Sequence, residues 1–318
     1  MSETKQPSRE EIAHAARMLR AGKLVAFPTE TVYGLGANAL DEAAVARIFE
    51  AKGRPTTSPV IVHVSSVEMV RSVVAEWPEN ADRLAQHFWP GPLTLVLPKR
   101  AVVPSLVTAG LDTVGVRMPA HPVALALIEA AQCPVAAPSA NRFSQISPTI
   151  AQHVREGLGD AVDYILDGGP CAVGIESAVL SLAGSSPVLL RPGGVSRQQL
   201  EAVIGKVDQQ REVSGEAHPS PGLHPRHYSP RTRLLLVMNG AVPRDGNGAY
   251  LQLSCAPERE VGDLVQMPTD ASAYAAQLYR ALHRLDACGY DWIAVDAPPD
   301  TPEWEAVRDR LRRAASRD

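Results

Sequence analysis

With 318 residues the chain has room for about two domains at roughly 100–200 residues each, and its 45% hydrophobic and 21% charged residues exclude bulk disorder and a collagen-like repeat. The net charge of −4 excludes a surface that is basic throughout, as a coat for DNA or an anionic membrane requires, and leaves a local basic site open. Two counts are unusual: 27 prolines, above the roughly 5% average, and only five lysines (Lys5, Lys23, Lys52, Lys99 and Lys206) among 31 basic residues. The four cysteines, Cys133, Cys171, Cys255 and Cys288, form no Cys-x-x-Cys pair and have no histidine at ligand spacing, so free thiols in a reducing compartment are expected. The polar N-terminus lacks the apolar run of a signal peptide, and no segment approaches the roughly 18 consecutive apolar residues of a membrane span. A soluble cytoplasmic protein is expected.

From Glu10 to Arg20 the residues Ile12, Ala15, Ala16 and Leu19 fall at helical spacing, with Gly22 as the stop, and a strand is expected at Leu24–Pro28. Asp41 is placed to cap a helix carrying Val45, Ile48 and Phe49 on one face and ending at Gly53, ahead of an apolar strand over Pro59–Val64. Further strands are expected at Leu93–Leu97, Val114–Met118, Val135–Ala137, Tyr164–Asp167, Ala178–Leu182 and Val188–Arg191. Helices at Val67–Ala75, Asn80–Trp89, Pro122–Ala131 and Thr149–Leu158 separate several of them. The result is an α/β domain over residues 10–206 whose irregular order does not read as a plain doubly wound sheet. Residues 207–231 have neither period and are rich in Pro, His, Gly and Ser, which is the composition of a linker. Strands at Arg233–Met238, Ala249–Ser254 and Trp292–Asp296, with amphipathic helices at Ala271–Ala287 and Pro302–Ala315, make a smaller α/β domain over residues 232–318.

The chemistry is concentrated in a few polar clusters. The run Pro28-Thr29-Glu30-Thr31-Val32-Tyr33-Gly34-Leu35-Gly36 puts hydroxyls and bare backbone at a strand end, and by itself reads equally as a Gly-rich turn or a binding loop. Lys52-Gly53-Arg54-Pro55, followed by Ser58 and then by a strand carrying His63, suits a phosphate chain, with lysine as a point charge and arginine as a fork; cations at a helix C-terminus are the bland alternative. Pro138-Ser139-Ala140-Asn141, with Ser144 and Ser147 beyond, follows a strand at the end where α/β sheets place ligand contacts, although Ser and Asn also favour turns. Thr113 to Arg117, Gly174-Ile175-Glu176-Ser177 and Leu190-Arg191-Pro192-Gly193 complete the set. Arg117 and Arg191 end apolar strands, where each guanidinium needs a carboxylate or a phosphate.

In this order, PTETVYGLG, KGRP, PSAN, GIES and RPG resemble the YrdC/Sua5 family of threonylcarbamoyl-AMP synthases, in which Lys-x-Arg and Ser-x-Asn are signature elements. The linker stretch from Pro221 to Pro230, PGLHPRHYSP, is similar to the PG…HYxP segment of the longer Sua5 branch. The resemblance rests on motifs from about residue 10 to 231 and on architecture alone beyond that. It implies a twisted open α/β sheet with a concave, positively lined cavity, followed by a Rossmann-like Sua5 domain. The implied activity is condensation of L-threonine, bicarbonate or CO2 and ATP to threonylcarbamoyl-adenylate and pyrophosphate. Mg2+ would accompany the ATP, no side chain would ligate it, and the product would pass to a partner that makes t6A at adenosine 37, so that tRNA is involved only indirectly. Residue by residue, the resemblance implies Thr31, His63, Arg117 and Ser177 at the threonine site, with Arg117 on the carboxylate and Ala137 bordering it. Arg54, Ser58, Thr113, Ser139, Ser147 and Arg191 would meet the nucleotide, Tyr228 would lay the linker over the adenylate, and Lys52 and Asn141 would stand near the phosphates, Lys52 and Arg54 supplying the catalytic charge.

Three other readings compete. His218, His224 and His227 in the linker could be taken for a metal site, which ranks below a hinged lid because a fourth ligand and regular spacing are missing. A double-stranded RNA-binding or ribosome-maturation role, attributed to short YrdC-like proteins, is disfavoured by the acidic net charge and 5% aromatic content. Carbamoyl transfer of the hydrogenase-maturation type works beside zinc-finger segments, for which this chain has no Cys-x-x-Cys pair.

Overall fold

The computed structural model describes residues 6–209 and 227–316. The first part runs α1 (Arg9–Arg20), β1 (Val25–Pro28), β2 (Tyr33–Asn38), α2 (Glu42–Lys52), β3 (Val62–His63), α3 (Val67–Val73), α4 (Glu79–Phe88), β4 (Leu93–Pro98), β5 (Thr113–Arg117), α5 (Pro122–Ala131), β6 (Val135–Ala136), α6 (Ala151–Leu158), β7 (Tyr164–Ile165), β8 (Ala178–Ser181), β9 (Val188–Arg191), α7 (Arg197–Ile204) and β10 (Asp208–Gln209). After the gap come β11 (Arg233–Val237), β12 (Gly248–Gln252), β13 (Asp263–Gln266), α8 (Ala271–Asp286), β14 (Trp292–Asp296) and α9 (Glu305–Ala315).

Local chemistry sets several of these boundaries. Ser8 and Glu11 form a capping box that starts α1, and Asp41 accepts from the amides of Ala43 and Ala44 to start α2, which Gly53 closes in the left-handed conformation. Pro122 occupies the first turn of α5, where its missing N–H costs nothing.

Among the described residues, the first ten strands form one mixed sheet in the order β10-β9-β8-β4-β5-β3-β6-β2-β1-β7. Parallel pairs (β4 with β8, β3 with β5) alternate with antiparallel ones (β4 with β5, β3 with β6), which is the irregularity the strand order predicts. Two apolar layers sandwich the sheet. One joins α2 and α7 to Leu35, Val62, Leu95, Val116 and Leu180; the other joins Ala15, Ala16 and Leu19 of α1 and Leu127 and Ile128 of α5 to Val25, Phe27 and Val135. β10, Asp208–Gln209, pairs parallel with β9, so the first residues of the stretch expected as a linker continue this sheet rather than leaving it at once.

β11, β14, β12 and β13 make a second sheet, parallel throughout, with α8 and α9 over one face. The apolar cluster under those helices also takes in Val32, Ile146, Ile175 and Tyr228. The two sheets are therefore joined by a common hydrophobic contact. No helix among the described residues is long and apolar enough to cross a membrane.

Candidate functional site

The strand ends of the large sheet converge on a cleft enclosing about 540 Å3 including open solvent. The β1–β2 turn contributes Thr29 and Thr31, the turn after α2 contributes Arg54, and His63 and Arg117 stand at the ends of β3 and β5. Ala137 and Ser139 follow β6, Glu176 and Ser177 precede β8, Arg191 ends β9, and His227 and Tyr228 come from the returning chain.

All five residues implied for the threonine site, Thr31, His63, Arg117, Ala137 and Ser177, line this cleft together, as do Arg54, Ser139, Arg191 and Tyr228 of the nucleotide set. Arg117 donates to the Thr31 hydroxyl at 3.0 Å and is ion-paired with Glu30 at 2.7 Å; Glu30 also accepts from the Ala120 amide at 3.0 Å. The protein carboxylate left open for Arg117 is thus Glu30. Ser177 exchanges a hydrogen bond with Thr94 at 2.8 Å, and Arg191 donates to the Ser177 carbonyl at 3.1 Å. Burial, aided by Arg117, pushes His63 down to about 3, so the imidazole in this cleft is neutral near neutral pH.

Arg54 is buried and donates to Ser58 Oγ at 2.6 Å, to the Pro59 carbonyl at 2.8 Å and to the Ser58 carbonyl at 3.2 Å, all neutral oxygens. Burial first, with Arg191 adding to it and Tyr228 opposing, brings it down to about 10, which leaves it charged at neutral pH. No carboxylate among the described residues forms an ion pair with it. Tyr228 is buried with φ 60°, in the left-handed region that disfavours a side chain of its size, and its hydroxyl has no hydrogen-bond partner among the described residues.

Five implied residues stand outside the lining. Lys52 donates to the carbonyls of Ser139 at 2.6 Å and Asn141 at 2.5 Å, so its ammonium ties the Lys-x-Arg turn to the Ser-x-Asn loop. Burial, then the charge of Arg54, holds Lys52 well below its ordinary value. Asn141 donates to the carbonyls of Arg142 and Gln145, Ser58 is held by Arg54, and Thr113 lies beside Val107 and Thr108. Ser147 donates to Glu176 at 2.6 Å. Of the linker histidines, His218 and His224 lie outside the described residues, as does Pro221–Arg226 of the linker motif; His227 packs edge-on against Tyr228 and Phe143.

Sequence reasoning gave no role to Glu30, Glu176, Tyr279 or Arg310, although Glu30 and Glu176 sit inside quoted motifs. Tyr279 of α8 and Arg310 of α9 both bond Glu176. Arg310 stands among Arg308, Arg312 and Arg313, and nothing local distinguishes it from a solvated charge.

The Sua5/YciO/YrdC family model, described as telomere recombination, matches residues 17–193, and that of the threonylcarbamoyl-AMP synthase C-terminal domain matches residues 195–316. A threonylcarbamoyl-AMP synthase of Pyrococcus abyssi is 45% identical, covering 96% of this chain and 94% of its own. That of Bacillus subtilis is 43% identical, covering 96% and 93%. The crystal structure of P. abyssi Sua5 complexed with L-threonine superposes with a TM-score of 0.91 at 42% identity, covering 98% of this chain and 96% of the other.

Proposed function

The chain belongs to the Sua5-type threonylcarbamoyl-AMP synthases, and we propose that its cleft holds L-threonine among Thr31, His63, Arg117 and Ser177 and the nucleotide's phosphates against Arg54, Arg191 and the Ser139 loop. It is a nucleotidyltransferase enzyme. The observation that carries the assignment of the nucleotide half is Arg54, a buried guanidinium that among the described residues is hydrogen-bonded only to neutral oxygens and is therefore short of a counter-charge that an anion supplies.

The threonine amine adds to CO2 and loses a proton to water to give a carbamate, whose oxygen attacks the α-phosphorus of ATP; the bond to the β-phosphate oxygen breaks and pyrophosphate leaves. Such a reaction asks the protein for placement and charge neutralisation rather than for a nucleophile. Arg117, fixed by Glu30 and Thr31, orients the amino-acid carboxylate. The neutral His63 offers a hydrogen bond without adding charge beside the amine. Arg54 and Arg191 offset negative charge as the phosphates separate, and Lys52 acts one step back, holding the Ser139 and Asn141 backbone. The Tyr228 hydroxyl, without a hydrogen-bond partner among the described residues, supports a closing contact with the nucleotide.

Mg2+ enters as part of the MgATP substrate. Among the described residues no three His, Cys, Asp or Glu side chains gather into a metal-binding group, and Glu30 and Glu176 are each engaged by an arginine. Phosphate oxygens of the substrate and water would supply the oxygen ligands that Mg2+ favours. We place the enzyme in the cytoplasm, where its four unbridged cysteines remain reduced, and its adenylate upstream of a transferase that makes t6A in tRNA. Incubation with ATP, L-threonine and bicarbonate is expected to release pyrophosphate and form an intermediate that vanishes when threonine or bicarbonate is omitted. Threonine-independent release overturns the reading.

A further inference from the structure

Glu176 lines the cleft, and its carboxylate is held by both domains. Oε1 accepts from Ser147 Oγ at 2.6 Å, while Oε2 accepts from the Tyr279 hydroxyl at 3.0 Å and from Arg310 Nε at 2.7 Å. Tyr279 and Arg310 belong to α8 and α9 of the second domain. The Arg310 guanidinium is completely buried, donates to the Pro192 carbonyl at 3.0 Å, and stands over the Tyr228 ring at 5.1 Å. One side chain from the C-terminal domain thus joins the GIES turn, the RPG turn and the returning linker. The fit is close: at Gly174, with φ 78°, a Cβ would come within 2.5 Å of the Ala275 carbonyl oxygen of α8, so the first residue of the GIES motif must be glycine for the helix to seat.

A carboxylate in a cleft built for a polyphosphate is a repulsive element unless it is neutralised from behind. Burial works to neutralise Glu176 by protonation, but Arg310, then Arg191, and the Ser147 hydrogen bond outweigh it and hold the carboxyl below its ordinary range, so it stays ionised. Arg191 donates through Nε to the Ser177 carbonyl at 3.1 Å and through a terminal nitrogen to its hydroxyl at 3.3 Å, one residue from that charge. A Glu176 without Arg310 would draw Arg191 toward itself and set its own charge against the phosphates.

We propose that Arg310 is a positioning residue for the nucleotide half of the reaction, supplied by the C-terminal domain, which neutralises Glu176 and so keeps Arg191 set for ATP. It rests on the reading that this cleft binds ATP, and it gives the second domain a part in the chemistry without touching substrate.

The test is steady-state kinetics on the full chain. Arg310→Met is expected to raise the KM for ATP roughly tenfold while the KM for L-threonine stays within about twofold. Combining it with Glu176→Gln, which removes the uncompensated charge at nearly constant shape, should bring the ATP KM most of the way back. Arg310→Lys, which keeps the charge but not the fork, should lie between wild type and Arg310→Met, and it serves alone if Arg310→Met does not fold. A purely structural role lowers the active fraction, and hence kcat, with both KM values unchanged. Both KM values unchanged, both raised alike, or a double variant no better than the single one overturns the proposal. Wild-type enzyme that releases pyrophosphate without threonine or bicarbonate would instead sink the reading of the cleft.

Discussion

Two arginine–carboxylate pairs flank the cleft, and they face it in opposite senses. In the Glu30–Arg117 pair, both partners come from the large sheet and its turns, and the arginine lines the cleft with the carboxylate beside it. In the Glu176–Arg310 pair the carboxylate lines the cleft and the arginine backs it from another domain. The first presents a fixed cation that an amino-acid carboxylate can share; the second cancels an anion that phosphates could not tolerate. A single catalogue of charges in the cavity would miss this, because what the substrate meets depends on what stands behind each charge.

The largest effect is expected from Arg117→Gln, which removes the presented cation and leaves Glu30 buried without its partner. The threonine KM should rise about 100-fold, and unfolding free energy should fall by about 3–5 kcal/mol, read by kinetics and by denaturant titration. ATP affinity falling as steeply as threonine affinity would erase the distinction between the two pairs.

A smaller, pH-dependent effect bears on the seam that brings Arg310 to Glu176. His153 of α6 and His283 of α8 stack across it with ring centroids 3.8 Å apart. Burial, then His283 and Arg280, pushes His153 down to about 3, and burial also lowers His283, so both rings are neutral in the docked state. A base whose folded value lies below its unfolded value near 6.5 contributes its stability in full above about 6.5 and loses it as pH falls toward about 3. Thermal midpoints should therefore decline from pH 7 to pH 4, and less steeply in His153→Phe. Parallel curves would show that the stack carries no such linkage.

Tyr279→Phe removes one of three donors to Glu176 and should cost about 1.5 kcal/mol, with a small rise in ATP KM and none in threonine KM. Ser8→Ala, which opens the capping box of α1 outside both pairs, should cost about 1 kcal/mol or less and move neither KM. A shift in either constant there would mean that the kinetics report global stability rather than the two pairs.

How much of this could be read from the chain depended on how local its cause is. Asp41 and Gly53 marked the ends of α2 because capping is decided within a few residues. The strand Tyr33–Asn38 was hidden by its glycines, which looked like a turn. Gly36 is instead a strand residue whose Cβ would lie 2.7 Å from the Phe27 ring and 2.9 Å from Val135, a requirement visible only with three strands in place. The cleft residues were singled out by the order of short motifs, since strand ends five elements apart are gathered by the sheet. The Glu176–Arg310 partnership spans 134 positions, and neither partner's neighbourhood carries any trace of it.

Val32, Ile146, Ile175 and Tyr228 share one apolar cluster with α8 and α9, although the two family matches divide the chain between residues 193 and 195. That dividing line is a frontier of ancestry and not of cooperativity. Melting either sheet would strip the other of part of its interior, so a single thermal transition is expected by calorimetry, and two resolved transitions would count against it. A chain severed there inherits an oily scar in place of a finished surface.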